Sequence, residues 1–135
     1  MTQLSRAELQ QCTKQFGLRV MKLCDALPST VSAKIIVNQL LRSATAVGAN
    51  YRAACRARSS VDWINKLGVV IEESDESSYW LEMIVEGNLM PEVKAAALLK
   101  EANELTAIFT ASQRTSKSNA ARPKSNQKSE IRNQK

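Results

Sequence analysis

The sequence contains no histidine among its 135 residues. This absence excludes a Ser-His-Asp or Cys-His catalytic device, a metal site with histidine ligands and a histidine pH switch. Cysteine is scarce, and Cys12, Cys24 and Cys55 form no C-x-x-C pair. Because their number is odd and their spacing fits neither a zinc site nor a disulfide framework, we interpret them as free thiols in a reducing compartment.

Residues that interrupt helices or build sheets are also rare. The chain has four glycines, three prolines and two each of Trp, Tyr and Phe, a composition that favours helices over a sandwich or barrel. No apolar run approaches the roughly 20 residues that a membrane-spanning helix needs, and the first residues, MTQLSRAELQQ, lack the apolar segment of a signal peptide. We expect a cytoplasmic all-α protein without a membrane partner.

Capping residues and prolines delimit four helical segments. They are predicted from about Ser5 to Leu27, from after Thr30 to about Arg58, from Ser59 or Ser60 to near Gly87, and from after Pro91 to about Gln113. Loops of three to five residues between long helices place neighbouring helices antiparallel. The sequence therefore predicts an antiparallel up-down four-helix bundle in residues 1–113. Residues 114–135 are rich in Ser, Asn, Gln, Lys and Arg, and we expect them to form a basic disordered tail.

The net charge of +6 is distributed unevenly along the chain. Residues 1–66 carry ten basic and three acidic groups, residues 67–113 carry two basic and nine acidic groups, and residues 114–135 carry seven basic groups and one acidic group. The first two segments, at +7 and −7, are expected to attract each other within or between subunits. Two roles are equally consistent with the basic tail: it contacts nucleic acid, or it only keeps the protein soluble.

The second helix carries a basic ridge opposite its apolar face. At about 100° per residue, one arc of this helix holds Lys34, Asn38, Arg42, Thr45, Ala49, Arg52 and Arg56 and no acidic residue. Cations at helical spacing can follow a polyanion backbone, which predicts contact with phosphates. The alternative is a solvated face that pairs with the acids of the third and fourth helices. Both interpretations stay open at this point.

The third helix has apolar residues on two faces. Its core face is predicted to hold Trp63, Leu67, Val70, Ile71, Leu81 and Val85, with Ser74 and Ser78 as small residues that allow close helix approach. Val69, Tyr79, Trp80 and Met83 project away from that face. In a four-helix monomer, a second apolar face has no helix to pack against. We therefore predict that these four residues form a subunit interface.

No pattern in the chain indicates catalysis. The sequence lacks a Walker motif, G-x-G-x-x-G and G-x-S-x-G. The acids Glu72, Glu73, Asp75 and Glu76 point away from the core, and bundle di-metal sites need Glu-x-x-His pairs that this chain cannot supply. We therefore expect no enzyme activity, no metal and no cofactor.

The segment from Gln39 to Met90 resembles the four-helix-bundle family of 23S rRNA-intervening-sequence proteins. Members carry a Q-L-x-R-S-A-x-S-[IV]-x-x-N signature, an x-[DE]-[FW]-[IL]-x-K-L segment and a Y-W-L box. The matching residues are Gln39, Leu40, Arg42, Ser43, Ala44, Val47 and Asn50, then Ser60, Asp62, Trp63, Ile64, Lys66 and Leu67, and finally Tyr79, Trp80 and Leu81. The second signature serine is replaced by Ala46, and Arg52 and Ala53 stand where members have a small and an acidic residue, which makes this copy more basic.

This resemblance implies a homopentamer of four-helix protomers with a basic surface. The family is similar to the accessory variability determinant proteins of diversity-generating retroelements, which form a pentameric barrel and bind a reverse transcriptase and its RNA. The implied function is a non-enzymatic accessory protein that binds RNA or DNA without sequence specificity and assists such a reverse transcriptase. The alternative is a structural scaffold without a nucleic-acid role. The candidate phosphate contacts are Lys34, Arg42, Arg52, Arg56, Arg58, Lys117, Arg122 and Lys124.

Overall fold

The computed structural model describes residues 3–122, which form four helices. Helix α1 spans Arg6–Asp25, α2 spans Val31–Cys55, α3 spans Ser60–Glu86 and α4 spans Glu92–Ala120. Contacts between helices are most extensive for α1 with α2, α2 with α3 and α3 with α4, and α1 touches α4 less closely. The up-down helical architecture matches the expectation from the sequence.

Side-chain caps begin the first three helices. The Ser5 hydroxyl accepts from the backbone N–H of Glu8 at 3.1 Å, and the Glu8 carboxylate accepts from the backbone N–H of Ser5 at 3.2 Å, so the predicted capping box is present. Thr30 caps α2, and of the two candidate serines it is Ser59 that caps α3. Each cap satisfies a backbone donor that the first turn leaves free.

Helix α4 continues seven residues beyond its predicted end. The cause is tertiary contact: the Gln113 amide donates to the Ile64 carbonyl at 3.1 Å, and the Trp63 indole N–H donates to the Ser116 hydroxyl at 2.9 Å. These bonds hold the last turns of α4 against the first turns of α3. Residues 114–120 are therefore helical, and the prediction that they belong to a disordered tail is wrong. The rest of that prediction falls largely on residues 123–135, which lie outside the described residues.

The core runs the length of the bundle and contains the predicted apolar faces. Phe16, Leu40, Leu67, Leu81 and Phe109 are fully buried. Burial of such side chains stabilises the bundle by about 25 cal/mol for each Å² removed from water. None of the helices within residues 3–122 has the length and apolarity needed to cross a membrane.

Small hydroxyl residues join the middle of three helices. The Ser77 hydroxyl donates to the Ser43 hydroxyl at 3.1 Å, and the Thr106 hydroxyl donates to Ser74 at 2.9 Å. Ser43, Ser74 and Ser77 are buried, so these bonds satisfy polar atoms that water cannot reach. This seam fixes the register of α3 between α2 and α4.

Candidate nucleic-acid interface

The antiparallel topology collects basic residues at one end of the bundle. This basic end comprises residues 3–14, 46–72 and 107–122, which are the start of α1, the end of α2, the start of α3 and the end of α4. It carries nine basic and three acidic residues, a net charge of +6. The opposite half, residues 15–45 and 73–106, carries six basic and nine acidic residues, a net charge of −3. The bundle is therefore polarised along its axis.

Most of the predicted phosphate contacts lie at the basic end. Arg52, Arg56, Arg58, Lys117 and Arg122 are all exposed there. Two predicted residues lie elsewhere, since Lys34 is in the first turn of α2 and Arg42 is at its middle. Lys124 is outside the described residues.

Arg42 is bound by the acids of α3. Its guanidinium donates to the Glu73 carboxylate at 3.2 Å and also to the Glu76 carboxylate. This bridge accounts for two members of the acidic run. The basic ridge is expected either to contact phosphates or to pair with acids of the other helices. Arg42 follows the second interpretation, because it pairs with acids of α3. Arg52 forms no ion pair within residues 3–122.

Arg6 and Arg114 belong to the basic end, although neither is among the predicted phosphate contacts. Arg114 lies in the segment that composition predicts to be a tail, and Arg6 lies on α1, far in sequence from the ridge. The guanidinium carbon of Arg6 lies 4.1 Å from the ring centroid of Trp63. The signal that could have found them is the count of charges at each helix end once the helices are known to be antiparallel.

A groove of about 340 Å³ runs between α1 and α2 beside the basic end. Its floor is formed by small residues such as Gly17 and Gly48, because the two helix backbones approach closely there. Apolar side chains of Leu18 and Met21 line it together with the cations Lys14 and Arg52; the complete lining is Gln10, Gln11, Thr13, Lys14, Gly17, Leu18, Met21, Thr45, Gly48, Ala49 and Arg52. The groove thus combines apolar and basic residues and has no acidic residue in its lining.

The predicted apolar stripe of α3 lies mostly on the surface. Val69, Tyr79 and Met83 are exposed by 41%, 51% and 40%. Trp80 differs, since it is half-buried, packs against the core and meets the Tyr79 ring edge-on at 4.9 Å. The prediction that Trp80 has no packing partner in its own bundle is therefore wrong. Its indole N–H is shielded from solvent and has no hydrogen-bond partner within the described chain.

The described thiols and carboxylates do not form a metal site. No group of three or more Cys, Asp or Glu side chains in residues 3–122 is arranged to hold a metal ion. Burial, assisted by the nearby Asp25 charge, raises the pKa of Cys24 to about 11. Burial also raises the pKa of Tyr51, and the neighbouring Cys55 adds to that shift. Cys24 and Tyr51 are therefore neutral at physiological pH.

Comparison with known proteins gives a family and a fold. The family model described as 23S rRNA-intervening sequence protein matches residues 5–111. A crystal structure of a protein of unknown function from the S23 ribosomal protein family of Bacteroides thetaiotaomicron is similar, with a TM-score of 0.75 and 25% sequence identity; the match covers 82% of this chain and 99% of that one. No curated protein gives a significant match.

Proposed function

This chain belongs to the 23S rRNA-intervening sequence protein family, and we propose that it is a non-enzymatic, homo-oligomeric protein that binds nucleic acid through the basic end of its bundle. The observation that carries the proposal is the charge of +6 at that end against −3 at the other. A phosphate backbone is a regular line of negative charge, and a surface that neutralises several phosphates gains affinity from the counterions it releases.

The chemistry of the basic end favours contact with phosphates over reading of base edges. Arg52, Arg56, Arg58 and Lys117 are exposed at this end on two helices, α2 with its following loop and α4. Phosphate contacts position a nucleic acid without conveying its sequence. The complex is thus sequence-independent, and RNA and DNA are both ligands.

A pair of charge reversals on one helix tests the proposal. Lys117→Glu changes the basic end, whereas Lys94→Glu makes the same change near the acidic end of α4; both lysines are exposed. RNA affinity, measured by fluorescence anisotropy at low salt, is expected to fall for Lys117→Glu and to stay near wild type for Lys94→Glu. Equal losses in the two variants would mean that only the net charge matters and would refute a localised site.

Self-association is the second part of the proposal, and it uses the α3 stripe. The exposed stripe residues Val69, Tyr79 and Met83 lie among acids such as Glu72 and Glu82. Two stripes cannot face each other without bringing these acids together. The groove between α1 and α2 instead offers apolar side chains together with the cation Lys14, so the stripe of one subunit fits the groove of the next. Contacts between two different surfaces build a ring when the rotation between neighbouring subunits closes, and the family resemblance supports a ring of five.

Two single-face variants distinguish this arrangement from a symmetric dimer. Leu18→Glu places an acid in the groove, and Met83→Glu places one in the stripe. Each variant alone is expected to be monomeric by light scattering, while an equal mixture forms a dimer through the one intact groove and the one intact stripe. If Leu18→Glu alone still forms dimers, the groove is not the receiving surface.

The biological setting that we propose is assistance to a reverse transcriptase of a diversity-generating retroelement. It is supported by the resemblance of the sequence to the accessory proteins of those elements and by the basic end, which would hold RNA or complementary DNA. Co-purification of an affinity-tagged chain from its native host tests this role. A reverse transcriptase among the bound proteins is expected, and its absence alongside an intact RNA complex would refute the retroelement role alone.

The alternative function is a structural scaffold in which the basic residues form ion pairs with carboxylates. The bridge from Arg42 to Glu73 and Glu76 favours it, because it shows one ridge cation already neutralised. Arg52→Glu separates the two functions. The nucleic-acid function predicts a lower RNA affinity than that of the monomeric Leu18→Glu variant, whereas a scaffold predicts equally weak RNA binding by both variants.

A further inference from the structure

Trp63 lies across the basic end of the bundle and contacts the other three helices. Its indole N–H donates to Ser116 of α4 at 2.9 Å. Its ring meets Tyr51 of α2 edge-on, with the ring centroids 6.3 Å apart and the planes at 61°. The guanidinium carbon of Arg6, in the first turn of α1, lies 4.1 Å from the ring centroid. The indole is therefore held in place by its edge and covered by a cation.

Arg6 is the exposed part of this arrangement. Tyr51, which contacts Trp63 from the core side, is buried. Its ring centroid lies 5.0 Å from that of the buried Phe109. Arg6 is exposed and forms no ion pair within residues 3–122. Arg6 therefore covers one face of the Trp63 ring from the exposed side of the bundle.

We propose that Trp63 is a stacking site for an unpaired base, and hence that the preferred ligand is single-stranded nucleic acid. This inference rests on the proposed function, because the cations of the basic end bring the strand to the ring. In the bound state a base takes the ring face that Arg6 covers, and the Arg6 guanidinium moves to a neighbouring phosphate. No covalent step is involved.

The magnitudes favour the base over Arg6 on this ring. A cation over an exposed aromatic ring contributes a factor of about 2 to 5 in an equilibrium constant. A base stacked on an aromatic side chain contributes a factor of about 5 to 150. Arg6 also retains its electrostatic gain after it moves, since its charge stays close to the backbone phosphates. A duplex has no free base face along its length, so it gains only the electrostatic part.

Tryptophan fluorescence gives a direct test. The chain has two tryptophans, so the full-length Trp80→Phe variant reports on Trp63 alone. Titration with oligouridylate at low salt is expected to quench the emission, because stacking brings the base onto the ring. An RNA duplex of the same length is expected to bind without this quenching. If oligouridylate binds and the Trp63 emission is unchanged, the stacking site is refuted while the proposed function stands; if neither RNA binds, both are refuted.

Two variants extend the test to affinity. Trp63→Leu is expected to lower affinity for oligouridylate about tenfold and to leave duplex affinity within about twofold, because only the stacked base is lost. Lys117→Ala is the matched control, since it removes a charge from the same end and is expected to weaken both ligands alike. Arg6→Ala is expected to retain the Trp63 quenching, because the ring face is then open. Loss of quenching in Arg6→Ala, or equal losses for both RNAs in a folded Trp63→Leu variant, would show that the Arg6–Trp63 contact only holds α1 to α3.

Discussion

Arg42 and Arg52 both lie on the exposed ridge of α2, but substituting them should affect different properties of the protein. Arg42 donates to Glu73 and Glu76, whereas Arg52 has no carboxylate partner within the described residues. We therefore expect Arg42→Ala to lower the free energy of unfolding with little effect on nucleic-acid binding. Arg52→Ala should weaken binding with little effect on stability.

The magnitude for Arg42 follows from its exposure. The Arg42 side chain is 51% exposed, so each ion pair is screened by water and contributes at most about 1 kcal/mol. Loss of the guanidinium also leaves Glu73, which is only 20% exposed, beside Glu76 without a counter-ion. We expect a destabilisation of about 1 kcal/mol, which corresponds to a fall of about 3–5 °C in Tm for a chain of this size.

The assay combines thermal unfolding at a fixed protein concentration with RNA affinity at several salt concentrations. For Arg52→Ala, the slope of log affinity against log salt is expected to become shallower by about 0.7, the value of one phosphate contact on a single strand. For Arg42→Ala, the slope is expected to match wild type. A shallower slope with unchanged Tm in Arg42→Ala would refute this division of the ridge.

Two further predictions concern stability. The pKa of Cys24 is about 11 in the folded chain against an ordinary value of 9.0, so the unfolded thiol ionises first as pH rises; the stabilisation from Cys24 is complete below about pH 9 and is lost as pH approaches 11. Urea unfolding of wild type and Cys24→Ala should therefore show a pH-dependent difference in this window, and a constant difference would contradict the assignment. Trp80→Phe is expected to lower the free energy of unfolding in urea by less than about 1 kcal/mol. The smaller ring loses packing contacts, but the substitution also removes a buried N–H that has no hydrogen-bond partner within the described residues. A loss above about 3 kcal/mol would indicate that the indole N–H has a partner in the folded protein.

Local signals in the sequence accounted for most of the fold. Ser5 with Glu8 and Ser59 are side chains that satisfy free backbone donors, and such caps act within three residues of chain. The end of α4 was missed because Gln113 and Ser116 are held by residues of α3 about fifty positions earlier. Composition alone assigned that segment to a tail.

The candidate site depended more strongly on the register between helices. The basic residues of the ridge can be recognised from the sequence of α2 alone. The partners of Arg42, however, depend on how α3 lies against α2. The basic end appears only when four helix termini are brought together by the antiparallel topology. The contact between Arg6 and Trp63 joins α1 to α3, which the periodicity of either helix could not show.

The central claim is that the basic end binds a phosphate backbone, and the salt dependence of RNA affinity in the full-length chain tests it most directly. With Arg52, Arg56, Arg58 and Lys117 in contact with phosphates, we predict a linear fall of log affinity with log salt and a slope of about −3 for a single strand. The Lys117→Glu variant should give a shallower slope, and Lys94→Glu the wild-type one. A wild-type slope near zero, or no RNA binding at low salt, would contradict the account.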